Sequence, residues 1–199
     1  MKRILLIALV AFSFSATNAQ DTKNMYTKGK TFGLQFTLHD FKTASEIRNG
    51  GMSQVLGKQQ WNKLSRMRPG LAVNYSEGLN DNFDFNARLG FSYLEYSLTN
   101  QPFAAGVGAK PYFEADANIF MKLTTDQYYV SPFLSAGVGA SSWKGYYAAY
   151  MPVGAGLQVN LFDQTFFILQ AQYRMPVTVN ASHNLFYSFG IHGSLGGKN

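Results

Sequence analysis

The chain has no cysteine among its 199 residues, so it carries no disulfide framework, no thiolate metal site and no cysteine nucleophile. Charge is scarce too. Asp, Glu, Lys and Arg make up 14%, against about 25% in ordinary soluble domains. Beyond the N-terminal stretch, no run approaches the roughly 18 consecutive apolar residues of a spanning helix, which excludes a helical membrane protein. With 6 prolines and 19 glycines, the composition is neither collagen-like nor disordered. What is plentiful is apolar and aromatic residue, 46% and 16%, in a chain long enough for one or two domains.

The first residues have the three parts of a secretory signal. Lys2 and Arg3 form a basic head, Ile4 to Phe14 an apolar stretch too short to span as a helix, and Ser15 to Ala19 a small-residue cleavage region. Cleavage after Ala19 is expected to leave 180 residues with a net charge of +4. No cysteine follows the signal, so no lipoprotein anchor is expected. Residues 20–29 then form a short N-terminal segment, expected in the periplasm, ahead of the main domain.

From there to residue 196 the sequence alternates with period two, the mark of strands with two chemically different faces. Eight such segments are legible. Phe32, Leu34, Phe36 and Leu38 alternate with Gly33, Gln35, Thr37 and His39. Leu71, Val73 and Tyr75 alternate with Ala72, Asn74 and Ser76, and Phe85, Ala87, Leu89 and Phe91 with Asp84, Asn86, Arg88 and Gly90. Phe113, Ala115, Ala117 and Ile119 alternate with Glu114, Asp116 and Asn118. The fifth segment runs from Tyr128 to Ser141, the sixth begins at Met151, the seventh carries Gln170, Gln172 and Arg174 on its polar face, and the eighth begins at Tyr187.

A soluble sandwich also alternates. Here, however, the face turned inward is polar and glycine-rich, and segments three to seven reach the roughly 9–11 residues of a tilted membrane strand. Tight connections at 78–82, 124–127 and 162–164 alternate with longer ones, as in outer-membrane barrels, and an even strand count puts both termini on the periplasmic side. The expectation is an all-β fold: an eight-stranded antiparallel up-and-down transmembrane β-barrel in the bacterial outer membrane. Phe83, Phe85, Tyr128, Phe162, Phe166 and Phe167 are expected in one interfacial girdle, and Tyr93, Tyr96, Tyr146, Tyr147, Tyr150 and Tyr173 in the other.

The stretch Tyr150-Met151-Pro152-Val153-Gly154-Ala155-Gly156-Leu157, the turn Phe162-Asp163-Gln164 and then Ala171-Gln172-Tyr173-Arg174 resemble the Bacteroidetes outer-membrane β-barrel domain family (PorT-like), with the size and topology of OmpA and OmpX barrels. The resemblance covers nearly all of the mature chain and describes a fold, not a reaction. It implies an envelope protein, and some members serve secretion machinery. One departure is the end of the chain, Leu195-Gly196-Gly197-Lys198-Asn199, where many such barrels finish on an aromatic residue.

An eight-stranded barrel is just wide enough for its own side chains. A polar network of Arg88, Arg174, Glu114, Asp116 and Asp84 is expected to fill the lumen, because a charge away from water needs an opposite partner. A small gated channel is the alternative use of those residues. At one rim, closure between the first and eighth strands brings His39 and Asp40 toward Ser182 and His183. Those residue types could form a hydrolytic site on lipid A or, less readily, hold a metal. The leading expectation is a non-catalytic barrel without cofactor.

The first outer loop, residues 40–69, holds Lys42, Arg48, Lys58, Lys63, Arg66 and Arg68 against Asp40 and Glu46, a net of +4 equal to the whole mature excess. Lipopolysaccharide phosphates are the obvious anions on that side, bound bidentately by Arg and as point charges by Lys. A larger outer-membrane protein complex is the other partner class, and nothing points to nucleic acid. Trp61 and Met67 share the parity of Leu71 and Val73, so the second strand is expected to extend outward through Arg66 and Arg68, with an amphipathic turn around Met52, Val55 and Leu56 as a further element.

Overall fold

The computed structural model describes residues 27–57, 63–94, 108–162 and 165–195. The signal region, Lys58, Trp61, Tyr96 and the two residues of the 163–164 turn lie outside the described residues. The strands are β1 (Thr31–Asp40), β2 (Arg68–Gly78), β3 (Phe83–Leu94), β4 (Lys110–Lys122), β5 (Val130–Trp143), β6 (Tyr146–Phe162), β7 (Thr165–Pro176) and β8 (Asn184–Ser194). Each pairs antiparallel with the next, and β1 pairs with β8, so the sheet closes in the order β1 to β8 without an open edge.

Strand formation follows from the period-two pattern, and the barrel is inverted relative to a soluble one. Leu34, Phe36, Leu89, Phe113, Val138, Met151 and Ile191 are exposed on the outside, while Gln35, Asn74, Arg88, Asp116, Gln172 and Arg174 are buried within. Closure gives every strand a hydrogen-bonded neighbour on both sides, the arrangement a bilayer demands of backbone groups.

Both chain ends meet at one end of the barrel, called here the terminal end, where Leu195 N donates to Lys30 O at 2.9 Å. At the opposite, loop end, β1 runs into α1 (Phe41–Gly57), two helical pieces joined at Gly51 with φ 79°. A 3-10 turn at Leu64–Arg66 then leads into β2. Asp40 caps the helix, its Oδ1 accepting from Thr43 N at 2.8 Å.

Three expectations need correction. The fifth connection is not long: β5 and β6 continue to Trp143 and Tyr146 and are joined by Lys144 and Gly145, whose φ values of 53° and 80° make the tight hairpin possible. Connection length therefore does not separate the two ends, since residues 123–129 at the terminal end outnumber that pair. The second strand begins at Arg68 and does not run through Arg66, which belongs to the 3-10 turn. Phe166 and Tyr150 are not girdle residues. Both share the inward parity of their strands and are buried in the lumen.

Candidate functional site

The lumen is filled in storeys, which the inward residues of β4 mark from Lys122 at the terminal end through Phe120, Asp116 and Glu114 to Tyr112 at the loop end. The upper charged storey is set by strand register. Arg88 on β3 stands directly opposite Asp116 on β4, and Arg88 Nε donates to Asp116 Oδ2 at 3.1 Å while its Nη2 makes a closer bond to the same oxygen. Arg174 on β7 reaches across the barrel to Glu114, donating from Nη1 at 2.5 Å and Nη2 at 3.3 Å, and to Asp116 at 3.3 Å.

Tyr150 Oη and Asn118 Nδ2 also donate to Asp116, at 3.2 and 2.6 Å. The two guanidinium groups lie over the Phe186 ring at 4.0 and 3.6 Å, which adds cation–π attraction in a dry setting. Gly90 faces Glu114 in the register, and a Cβ there would stand 2.7 Å from the Glu114 side chain, so the missing side chain makes room for the carboxylate. The two guanidinium groups and two carboxylates of this storey balance, as buried charge requires.

Asp84 does not join them. It lies at the terminal end, where Lys28 Nζ meets Oδ2 at 3.0 Å and Lys122 Nζ meets Oδ1 at 2.9 Å. Lys122 also pairs with Asp126 at 2.7 Å. This lower storey again matches two ammonium groups with two carboxylates. Lys122 shares the parity of Glu114 and Asp116, so alternation alone points it inward. Lys28 precedes the first alternating segment and had no such signal. Between the storeys, Phe120 and Phe133 stack with centroids 4.4 Å apart beside Ile168.

Above the upper storey, Phe41, Leu94, Tyr112 and Trp143 form a buried apolar cluster across the loop end, tied by Trp143 Nε1 donating to Leu94 O at 3.2 Å. Around that rim, Lys42, Arg48, Lys63 and Arg68 are exposed. Arg66 is drawn back by an ion pair with Glu46 at 2.8 Å. Lys58 lies outside the described residues. Lys110 and Lys144, at the loop ends of β4 and β5, are exposed on the same rim, although sequence reasoning tied the basic surface to the first loop alone.

Of the rim residues considered for catalysis, His39, Asp40 and His183 each bond to a group outside the cluster. His39 Nδ1 pairs with Asn184 Nδ2 at 2.9 Å inside the barrel. Asp40 is spent as the helix cap, and His183 Nδ1 pairs with Tyr173 Oη at 2.9 Å. Parity separates His39 from Asp40, because neighbouring residues on β1 point to opposite faces. Ser182 lies beside His183 in the β7–β8 connection. Among the described residues, no group of three or more His, Asp or Glu is placed to hold a metal ion. Burial, and then the Arg48 charge, hold the His183 imidazole below its ordinary pKa.

No family model and no curated protein matches the chain. Among solved structures, the N-terminal β-barrel domain of Pseudomonas aeruginosa OprF aligns with a TM-score of 0.55 at 10% identity, covering 84% of this chain and 98% of that one. Neisserial surface protein A aligns at 0.54 and 12% identity, covering 85% and 99%. At such identity the likeness is one of fold. Closed topology, an apolar exterior and these neighbours define the class: a small eight-stranded outer-membrane-type β-barrel.

Proposed function

We propose that the protein is an integral outer-membrane barrel with both termini in the periplasm and a lumen closed to diffusion, acting through its basic loop end on phosphorylated envelope lipid. No catalytic step belongs to this reading. The observation that carries it is an asymmetry of charge. The lumenal cations Arg88, Arg174, Lys28 and Lys122 are each ion-paired to carboxylates, whereas Lys42, Arg48, Lys63, Lys110 and Lys144 are exposed around one end. Paired lumenal charge blocks a path, and a basic rim at headgroup height suits the phosphates of lipopolysaccharide.

The test is lipopolysaccharide binding by the barrel held in zwitterionic nanodiscs. Replacing Lys42, Arg48, Lys63 and Arg68 by Glu is expected to weaken binding at least tenfold and flatten its salt dependence. Unchanged binding would refute the lipid reading. In planar bilayers the wild type is expected to show no steady conductance, and an open pore at rest would refute the closed lumen.

A second reading is an accessory role in a larger outer-membrane complex, as the likeness to PorT-like barrels implies. It is favoured by Met52, Leu56 and Leu64, which stand 50%, 55% and 75% exposed in the first loop beside its cations. Extraction in mild detergent distinguishes the two, because a stoichiometric protein partner supports the complex and a barrel carrying only lipid supports the first reading.

A further inference from the structure

The terminal end of the lumen contains a group that does not belong to the barrel wall. Residues 27–30 cross beneath the strands, with Gly78 N donating to Lys28 O at 3.0 Å and Thr27 Oγ1 to Asp81 Oδ1 at 3.2 Å. This crossing lowers Lys28 into the barrel mouth, where the residue is 4% exposed. Its ammonium donates to Asp84 at 3.0 Å and to Gln158 Oε1 by a close bond, and it lies 4.7 Å from the centroid of the Phe166 ring.

A carboxylate, an amide carbonyl and an aromatic face are the three kinds of partner that suit an ammonium group: charge, directed acceptor and cation–π surface. The wall supplies all three from different strands: Asp84 from β3, Gln158 from β6 and Phe166 from β7. Gln158 is held in turn by Asp126, its Nε2 donating at 2.8 Å, which fixes its carbonyl toward Lys28. The cation alone comes from outside the wall.

We propose that the terminal mouth of the barrel is a binding site for a primary ammonium group, filled in cis by Lys28 and able to take a free amine or the lysine of another peptide when Lys28 is withdrawn. Without Lys28, Asp84 and Asp126 face Lys122 as the remaining ammonium of this storey. One buried carboxylate is then left uncompensated, so the mouth draws in a cation. Burial pushes the Lys28 ammonium below its ordinary pKa range while Asp84 and Asp126 pull it back; the site therefore depends on the carboxylates to keep its occupant charged. The inference concerns the opposite end of the molecule from the lipid-binding reading and does not rest on it.

The experiment is chemical rescue of Lys28→Ala in the full barrel, refolded in detergent and followed by its urea midpoint. The variant retains Cβ, so propylammonium supplies the missing atoms. The midpoint is expected to fall in Lys28→Ala and to be restored by propylammonium with half-saturation on the order of 1 mM, a weak-fragment affinity. Tetramethylammonium, which has no N–H to donate, and sodium at equal ionic strength are expected to leave the midpoint low.

Adding Asp84→Asn to Lys28→Ala is expected to remove the propylammonium response. If Lys28→Ala refolds poorly, the refolding yield with each cation makes the same comparison. A wild-type midpoint in Lys28→Ala, or a rescue by sodium equal to that by propylammonium, would overturn the proposal.

Discussion

Arg174 shows what a single buried charge asks of its surroundings. It is 1% exposed, forks onto Glu114, touches Asp116 and packs its guanidinium plane against Phe186 and Tyr150. Removing one side of such a pair strands the other in a low-dielectric space at a cost of about 3–5 kcal/mol, whereas replacing both by apolar groups of similar volume is far cheaper. Arg174→Met is therefore expected to lose about that much stability because Glu114 remains charged and buried. The double variant Arg174→Met, Glu114→Leu is expected to regain most of the loss. Urea titration of the refolded barrel, followed by the heat-dependent gel shift, measures both, and equal losses in the two would show that the ion pair is not what stabilises the storey.

The partners of this pair could be read from the sequence because parity fixes which face each residue takes. Arg88 and Asp116 fall on inward positions of consecutive strands, and antiparallel register then sets them opposite. Lys28 was not legible in the same way. Its position depends on where a non-repeating segment crosses under the barrel, and that crossing is set by single backbone bonds to Gly78 and Leu195.

At the level of elements, strands were the readable part and the loop end was not. The strands run 10 to 17 residues and period-two alternation covers the middle of each, where a one-residue slip would exchange the apolar and polar faces entirely. Helix α1 left a fainter trace, the amphipathic turn around Met52, Val55 and Leu56, which falls in its second piece with Val55 buried and Met52 and Leu56 exposed. Its buried residues Phe41, Thr43, Ala44 and Val55 do not repeat at helical spacing over its length, and the kink at Gly51 divides it into two short pieces. The β5–β6 hairpin was hidden for a different reason. Lys144 takes the left-handed conformation that Asn or Gly usually supplies, so the turn lacks its customary signature.

The helix start does have a chemical marker, the Asp40 carboxylate on Thr43 N. Loss of an N-cap costs about 1 kcal/mol. For Asp40→Ala this is expected to loosen α1 while leaving the barrel closed, because β1 keeps its pairing with β8 and β2. Trypsin cutting after Lys42 and Arg48 is expected to accelerate several-fold without loss of the gel shift. Unchanged cutting would mean that packing of Phe41 and Ala44, not the cap, holds the helix.

For the whole molecule, the inverted arrangement of apolar and polar faces fixes the solvent, and the storeys fix the lumen. The loop end carries the basic rim, with Lys42, Arg48 and Lys63 exposed. His183 stands at that end with its imidazole pKa lowered from the ordinary value. Burial is the main reason its pKa lies below 6.5, and the Arg48 cation adds to the effect. The imidazole is therefore neutral at neutral pH, and its Nδ1 is held by Tyr173 Oη.

The sign for stability follows from the lowered value. As the pH falls through 6.5, the unfolded chain takes up the proton first, so His183 contributes a loss of stability that is fully expressed below its folded pKa. An anion held beside Arg48 and His183 reverses the local bias, because it favours the imidazolium. Phosphate monoesters lose charge over the same range, with a second pKa of about 6, and would obscure the effect. Sulfate keeps its double charge and is the better probe.

Sulfate affinity is expected to rise as the pH is lowered from about 7.5 to about 5, the range of imidazole titration, with the His183 imidazole resonance in detergent-solubilised barrel moving to a higher pKa as sulfate is added. His183→Gln is expected to bind sulfate with no such pH dependence, and Arg48→Gln to bind more weakly throughout. A His183 titration indifferent to sulfate would place the anion elsewhere on the basic rim, and the pH dependence of lipid binding would then have to come from the lipid phosphates themselves.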